Sequence, residues 1–398
     1  GKADLIVTGG AGDDTLNVAG ATTAARELNV DGGAGADTIT IGADLAGATS
    51  TTLGDVLDGG EGTDTLKMTT ALANGLTTTK SAGVSNFEVL NVSDANTNSI
   101  TLANIQAGLS SVVLTAGSSA GTTVFPAGAN TLVIGASNAG TYTATDTGTG
   151  TDDSLTISTT SLAAVDMGNN NAFTFTGLET VTFDTTTKDT TELDVSTVTL
   201  TADTGGTTTL VVTGADTFHA SGAITANVID FSGVAAAATG TTVNMGAAAV
   251  GVTSIKGSAG NDTLVGDAKS TIEGGAGNDT ITGGSGNDTL HGDAGKDTIT
   301  TGAGSDTVKG GDGDDTLVFA GNLTSADKID GGEGTDILSV TNASITALQG
   351  LTISDANTFN ANFQNMETLL ITGALDSTGD SFDLGYLSGI STVAVTTV

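Results

Sequence analysis

The stretch from Gly257 to Val318 constrains the fold of this chain more than any other. It reads GSAGNDTLV, GDAKSTIE, GGAGNDTIT, GGSGNDTLH, GDAGKDTIT, TGAGSDTVK, GGDGDDTLV. Six of these seven units fit, or nearly fit, the nine-residue pattern G-G-x-G-x-D-x-U-x, where U is a large aliphatic residue. Each unit reads as a six-residue turn followed by a three-residue strand. The glycines let the turn take positive φ and bring backbones together. The U residues (Leu264, Ile281, Leu290, Ile299, Val308, Leu317) point inward and stack on one another. A single Gly-Asn-Asp cluster would be an ordinary turn; six in phase call for a stacked architecture.

Two units make one coil, so like turns recur about every 18 residues and form two columns. One column carries Asp262, Asp279, Asp297 and Asp315; the other carries Asp288 and Asp306. A hard cation between stacked turns would meet carboxylates and backbone carbonyls, the oxygen set that suits calcium rather than zinc or copper. The unit Gly266 to Glu273 is one residue short and lacks the Asp, which predicts a bulge and a missing site there.

The bulk numbers agree with a cation-dependent fold. The chain has 398 residues, enough for two or three domains, with 10 Lys+Arg against 45 Asp+Glu and a net charge of −35. Nucleic acid is therefore excluded as a natural partner, since a phosphate backbone needs basic patches. Acidity this unbalanced repels itself until cations neutralise it, and 59 Gly impose a large ordering entropy. The array is therefore expected to be disordered without calcium and to fold when metal binds. Cysteine is absent, which removes disulfides and thiolate sites. Calcium sites this numerous suit an extracellular setting. No apolar run reaches the roughly 20 residues of a membrane span; even Val234–Val252 is broken by Thr, Asn and Gly. No N-terminal signal peptide is visible, and Gly1-Lys2 reads as the start of a processed fragment.

Taken in order, residues 1–68 carry three dispersed turns ending in Asp14, Asp37 and Asp64, each followed by Thr and an aliphatic residue. Each is a candidate calcium ligand, provided its stacked neighbour lies in register. Residues 69–250 are Thr-, Ala- and Val-rich, with short strands at Val112–Leu114, Thr131–Ile134, Phe173–Phe175 and Leu210–Val212. Ala103–Leu109 and Ser161–Met167 are candidate helical turns. A second repeat places a Glu before three aliphatic strands, led by Glu88, Glu179 and Glu367, as coils of a solenoid would require. Residues 251–320 form the array, and 321–398 return to a calcium turn at Asp336 and plain β coils. The expected fold is all-β: an elongated parallel β-solenoid or β-roll with interleaved β coils.

These turns resemble the RTX (repeat-in-toxin) family, and the Thr/Ala/Gly bias with Glu-led coils resembles the RTX-type bacterial surface-layer proteins. That resemblance implies type I secretion, folding outside the cell in millimolar calcium, and self-assembly into a two-dimensional coat. It also implies anchoring to cell-surface polysaccharide or lipopolysaccharide through a region beyond this sequence. Family ligands carry over to the Asp positions above. They also carry over to turn carbonyls at alternate positions: Gly274, Ala276 and Asn278; Gly283, Ser285 and Asn287; Gly292, Ala294 and Lys296. The sequence departs from the pattern at Gly266–Glu273 and at Thr301, and no C-terminal secretion signal is visible.

Enzymatic chemistry finds little footing. There is no H-E-x-x-H; of the two histidines, His219 reads as a surface or half-buried strand residue and His291, at the outward last position of its repeat, as a solvated side chain. Gly117–Gly121 fits G-x-S-x-G around Ser119, but no strand–helix alternation surrounds it. Asp152-Asp153 could serve a glycosidase but reads more simply as a solvated loop pair. The expectation is a structural protein rather than an enzyme. The alternatives are an RTX adhesin, an ice- or polysaccharide-binding module, or the noncatalytic part of a secreted enzyme. Thr77–Thr79, Thr185–Thr187 and Thr207–Thr209 motivate the ice option.

Overall fold

Strand content follows from β-branched Thr, Val and Ile at alternating positions, with Gly, Asn and Asp at the corners. The computed structural model describes all residues except 1–3, 21–26, 43–53, 137–139, 149–151, 160–170, 186–192, 204, 215–216, 236–241, 321–322, 342–343, 345–359, 374–386, 388 and 397–398. Among the described residues the structure is almost wholly β; a short α-helix at Thr70–Gly75 and a 3₁₀ turn at Leu102–Asn104 are described in full. That 3₁₀ turn overlaps only the start of the helical turn expected at Ala103–Leu109, and no helix continues to Leu109; Ser161–Met167 lies outside the described residues. The chain divides into two units, Gly1–Thr208 and Thr209–Val398.

In the second unit strands fall into two parallel ladders, and from Val228 to Thr372 consecutive strands alternate between them. One ladder begins Thr209–Gly214, Val228–Val234 and Ser254–Lys256. It then runs through Thr271–Ala276, Thr289–Ala294, Thr307–Asp312 and Lys328–Glu333 to Phe363–Gln364. The other begins Phe218–Ala220, Val243–Met245 and Asp262–Val265. It continues through Thr280–Ser285, Thr298–Ala303, Thr316–Phe319, Ile337–Thr341 and Thr368–Thr372 to Thr392–Thr396. Two strands per coil and parallel stacking are the architecture of a β-roll or β-solenoid. Inward residues stack in files: Leu264, Ile281, Ile299 and Leu317 on one side, and Ile272, Leu290, Val308 and Ile329 on the other, each at most 2% exposed.

Array strands are longer than the sequence pattern predicts. Thr280–Ser285 takes in the first three residues of the nominal turn, because Gly284 pairs with Gly302 and Ser285 with Ala303. The ladder thus bends around a corner instead of stopping at it. The short unit Gly266–Glu273 gives no strand bulge: Thr271 pairs with Thr289 and Ile272 with Leu290, without a shift. The missing residue is taken out of the turn, where no pairing register has to be kept.

The first unit stacks on the same plan. One ladder holds Thr15–Asn17, Thr38–Thr40, Thr65–Met68, Val89–Val92, Ser111–Leu114, Ala129–Ile134, Ser154–Thr159 and Thr180–Asp184. A facing ladder holds Ile100–Thr101, Thr122–Phe125, Tyr142–Asp146, Asn171–Thr176 and Leu193–Thr201. A third joins Leu5–Ala11, Leu28–Ala34, Val56–Asp58 and Val84–Ser85. The strand after Glu88 pairs directly with Ser111–Leu114, so the three-strand repeat is one coil and the start of the next. After Glu179 the second and third expected strands merge into the single strand Leu193–Thr201. The counterpart expected at Phe382–Leu384 lies outside the described residues.

Ser118 bridges to Asn96, and Ser119 N–H donates to Asn96 O at 3.0 Å, so Gly117–Gly121 is a coil corner without the helix a hydrolase elbow needs. Thr77–Thr79 are exposed in a turn region rather than aligned on a strand. Residues 186–187 are outside the described set, and of Thr207–Thr209 only Thr209 begins a strand.

Candidate metal centres

Each array turn is shaped by glycines with two different duties. Gly284 (φ 114°) and Gly286 (φ 113°) occupy backbone conformations that L side chains avoid. Gly283 has ordinary φ but no space: a methyl there would lie 2.7 Å from Asp288 Oδ2 and would overlap Thr301 O. The position-one glycine therefore leaves room for the carboxylate of its own turn.

That carboxylate links coils. In one column Asp262 N–H donates to Asp279 Oδ1 at 2.8 Å, Asp279 N–H to Asp297 Oδ1 at 2.7 Å, and Asp297 N–H to Asp315 Oδ1 at 2.8 Å. Asp315 N–H donates to Asp336 Oδ1 at 2.8 Å, and Asp336 N–H to Glu367 Oε2 at 2.8 Å. In the second column Ser270 stands where an Asp is missing and donates its N–H to Asp288 Oδ1 at 2.8 Å. Asp288 N–H donates to Asp306 Oδ1 at 2.9 Å, and Asp306 N–H to Asp327 Oδ1 at 2.7 Å. The first unit repeats the device: Asp14 N–H donates to Asp37 Oδ1 at 2.7 Å, Asp37 N–H to Asp64 Oδ1 at 2.8 Å, and Asp64 N–H to Glu88 Oε2 at 2.7 Å. The dispersed turns are thus in register.

With Oδ1 engaged, the second oxygen is left facing the turn. Oδ2 of Asp37, Asp64, Asp279, Asp288, Asp297, Asp315 and Asp336 is buried without a hydrogen-bond partner. Burial pushes Asp279 up to about 8, and Asp288, Asp297, Asp315 and Asp336 up to about 6. Like charge from stacked carboxylates adds to the rise, while the donated N–H works against it. Asp64, Asp262, Asp306 and Asp327 are raised by burial in the same way. A file of buried, orphaned carboxylate oxygens fits a hard cation and nothing softer. Coils about 4.8 Å apart supply one carboxylate per turn, and no group of three or more His, Cys, Asp or Glu side chains forms a metal cluster among the described residues. Carbonyls would therefore complete the shell.

Of the carbonyl residues expected from the sequence, those at the first position run along the column: Gly292 O lies 2.6 Å from a methyl built on Gly274. At the third position, Ala294 O already accepts Gly277 N–H at 2.7 Å, and the N–H groups of Ala276 and Ser285 donate to Ser258 O and Asp267 O. At the fifth, the side chains form a ladder of their own on the outside. Asn278 Oδ1 accepts Lys296 N–H at 2.8 Å, and Asn287 Oδ1 accepts Ser305 N–H at 2.9 Å. Sequence reasoning also missed Asp327 and the role of the leading Glu residues. Its one signal for the latter was their recurrence, since Glu88 and Glu367 each accept from the last Asp of a column.

A family model for the RTX calcium-binding nonapeptide repeat matches residues 6–20, 54–67, 251–268, 270–299, 291–321 and 323–340. These repeats bind calcium, so the chain carries several calcium-binding turns. No curated protein matches the chain.

Proposed function

We propose that this chain is a structural surface-layer protein, exported unfolded and folded outside a bacterial cell by calcium, which assembles into a two-dimensional lattice. The observation that carries the reading is the set of buried carboxylate columns, which make folding conditional on an ion scarce inside cells and abundant outside. The charge of −35 supports it twice. It keeps the calcium-free chain expanded and exportable, and it lets calcium bridge acidic surfaces of neighbouring copies. Acidic residues exposed beside the turns, such as Asp293 and Asp312, would serve as the bridging groups.

Dynamic light scattering and negative-stain microscopy on the purified chain in millimolar calcium test the assembly. Ordered sheets that dissolve in chelator are expected. A folded chain that stays monomeric across the concentration range would remove the lattice from this reading and leave a calcium-folded secreted module.

A further inference from the structure

Outside every stretch matched by the repeat model, the first unit reproduces one column step. Asp153, 3% exposed, accepts Gly128 N–H through Oδ1 at 2.5 Å and donates its own N–H to Glu179 Oε2 at 3.1 Å. That is the Asp-then-Glu order of Asp64 with Glu88 and of Asp336 with Glu367. Gly148 stands five residues before Asp153, as Gly59 and Gly331 do before their aspartates. A methyl on Gly148 would lie 2.8 Å from Asp153 Oδ2, the contact that marks an array turn. The pattern glycines at the second and fourth positions are replaced by Thr149 and Thr151, which hides the step from a motif search.

Two further carboxylates stand beside it. The same methyl would lie 2.8 Å from Asp146 Oδ1, and Gly148 N–H donates to that oxygen. A methyl on Gly206 would lie 3.1 Å from Glu179 Oε1, and one on Gly177 would lie 3.4 Å from Asp203 Oδ1 and 3.1 Å from the Asp146 carbonyl. The charged groups acting on Asp146 are Asp153, Asp203 and Glu179, all anionic. Asp146 Oδ2, Asp153 Oδ2, Glu179 Oε1 and Asp203 Oδ2 are buried with no hydrogen-bond partner. Asp146 and Glu179 are each 6% exposed, so these are not solvated loop acids.

We propose that Asp146, Asp153, Glu179 and Asp203 form a separate calcium site in the plain coils. The donors are all oxygen, which excludes soft metals, and carboxylates held on separate coils favour the larger, less directional calcium over magnesium. Because no three of these side chains form a finished cluster, carbonyls or water would share the shell with two carboxylates at a time. The site is independent of lattice formation. It would pin the coils at Asp146, Asp153 and Glu179, as the array's ions pin theirs.

The test counts calcium bound to the full chain by native mass spectrometry, comparing the unsubstituted protein with Glu179→Gln/Asp203→Asn. Gln keeps an oxygen for Asp153 N–H, so the ladder survives while the charges go. One ion fewer is expected in the double variant, and an unchanged count overturns the proposal. Should the double variant fold poorly, Asp203→Asn alone serves, because among the described residues no ladder bond passes through its carboxylate; one ion is then expected to bind about tenfold more weakly or worse. Thermal melting gives a second readout: removing like charges raises the melting temperature in chelator, and removing ligands lowers it in calcium. The same ordering in both conditions overturns the site.

Discussion

The array and the plain coils solve one stacking problem with different residues. A plain strand sends two large side chains inward: Val112 with Leu114, Leu132 with Ile134, Leu155 with Ile157, Phe173 with Phe175, and Val181 with Phe183, each fully buried. An array strand sends one, such as Ile281 or Leu290, and two residues later has Gly283 or Gly292. The second inward slot is given up so that the turn's carboxylate can occupy it. At about 1.5–3 kcal/mol per buried aliphatic side chain, an array strand forfeits about half the apolar stabilisation of a plain one. It also buries an acid whose ionised form is disfavoured. Calcium held by that carboxylate would supply in the array what the second side chain supplies elsewhere.

The largest consequence is selective unfolding. Hydrogen exchange in chelator should show protection lost across 262–333 and retained in the strands between 111 and 201. Loss of both regions together would mean that the plain coils have no stability of their own. Next in size is Phe183→Ala. Its ring lies 5.2 Å from Phe173 and 6.2 Å from Phe175, and truncation should cost about 3–5 kcal/mol. Melts read from plain-coil probes should show that cost with or without calcium; a calcium-dependent cost would place an ion's influence in the aromatic core. Smaller again is Asp297→Asn, which keeps an acceptor for Asp279 N–H but removes charge. Calcium titration should show one step weakened about tenfold, or about 1.4 kcal/mol, with the chelated protein no less stable. Equal loss in both conditions would mean that Asp297 acts only through its hydrogen bond.

Much of this contrast was legible beforehand, because period and composition are local. The two Asp columns, the inward file from Leu264 to Leu317 and the parallel solenoid all follow from repeat spacing. What was hidden depends on residues far apart in sequence. Asp55 accepts Leu28 N–H across 27 residues, and Asp153 reaches Glu179 across 26, intervals that no short motif captures. Asp152-Asp153 looked like one solvated pair; the structure exposes the first and buries the second, since only Asp153 falls in the ladder position before a strand. The Glu repeat was visible as a pattern, but its meaning was not. A Glu ends a column where the coil is no longer a tight Gly turn, the longer side chain reaching the same N–H.

The finest probe is pH, because only the array's response to it should depend on calcium. Burial raises Asp288, Asp297, Asp315 and Asp336 to about 6, and Asp279 to about 8, above the ordinary 3.8. Between about pH 4 and 6 the folded, calcium-free array therefore holds more protons than the unfolded chain. Its stability is greatest toward the acid end of that window and is lost as pH rises through about 6 toward 8. In chelator the array, unfolded near pH 8, should thus gain protection and a melting transition as pH falls toward about 5. In millimolar calcium the sign reverses, because protons displace the ion from the same oxygens. The strands from Ser111 to Ile134 bury side chains that do not titrate and should show neither trend. An array that gains stability with rising pH in chelator would show that its carboxylates are stabilised as anions by the fold itself, leaving calcium no charge to neutralise.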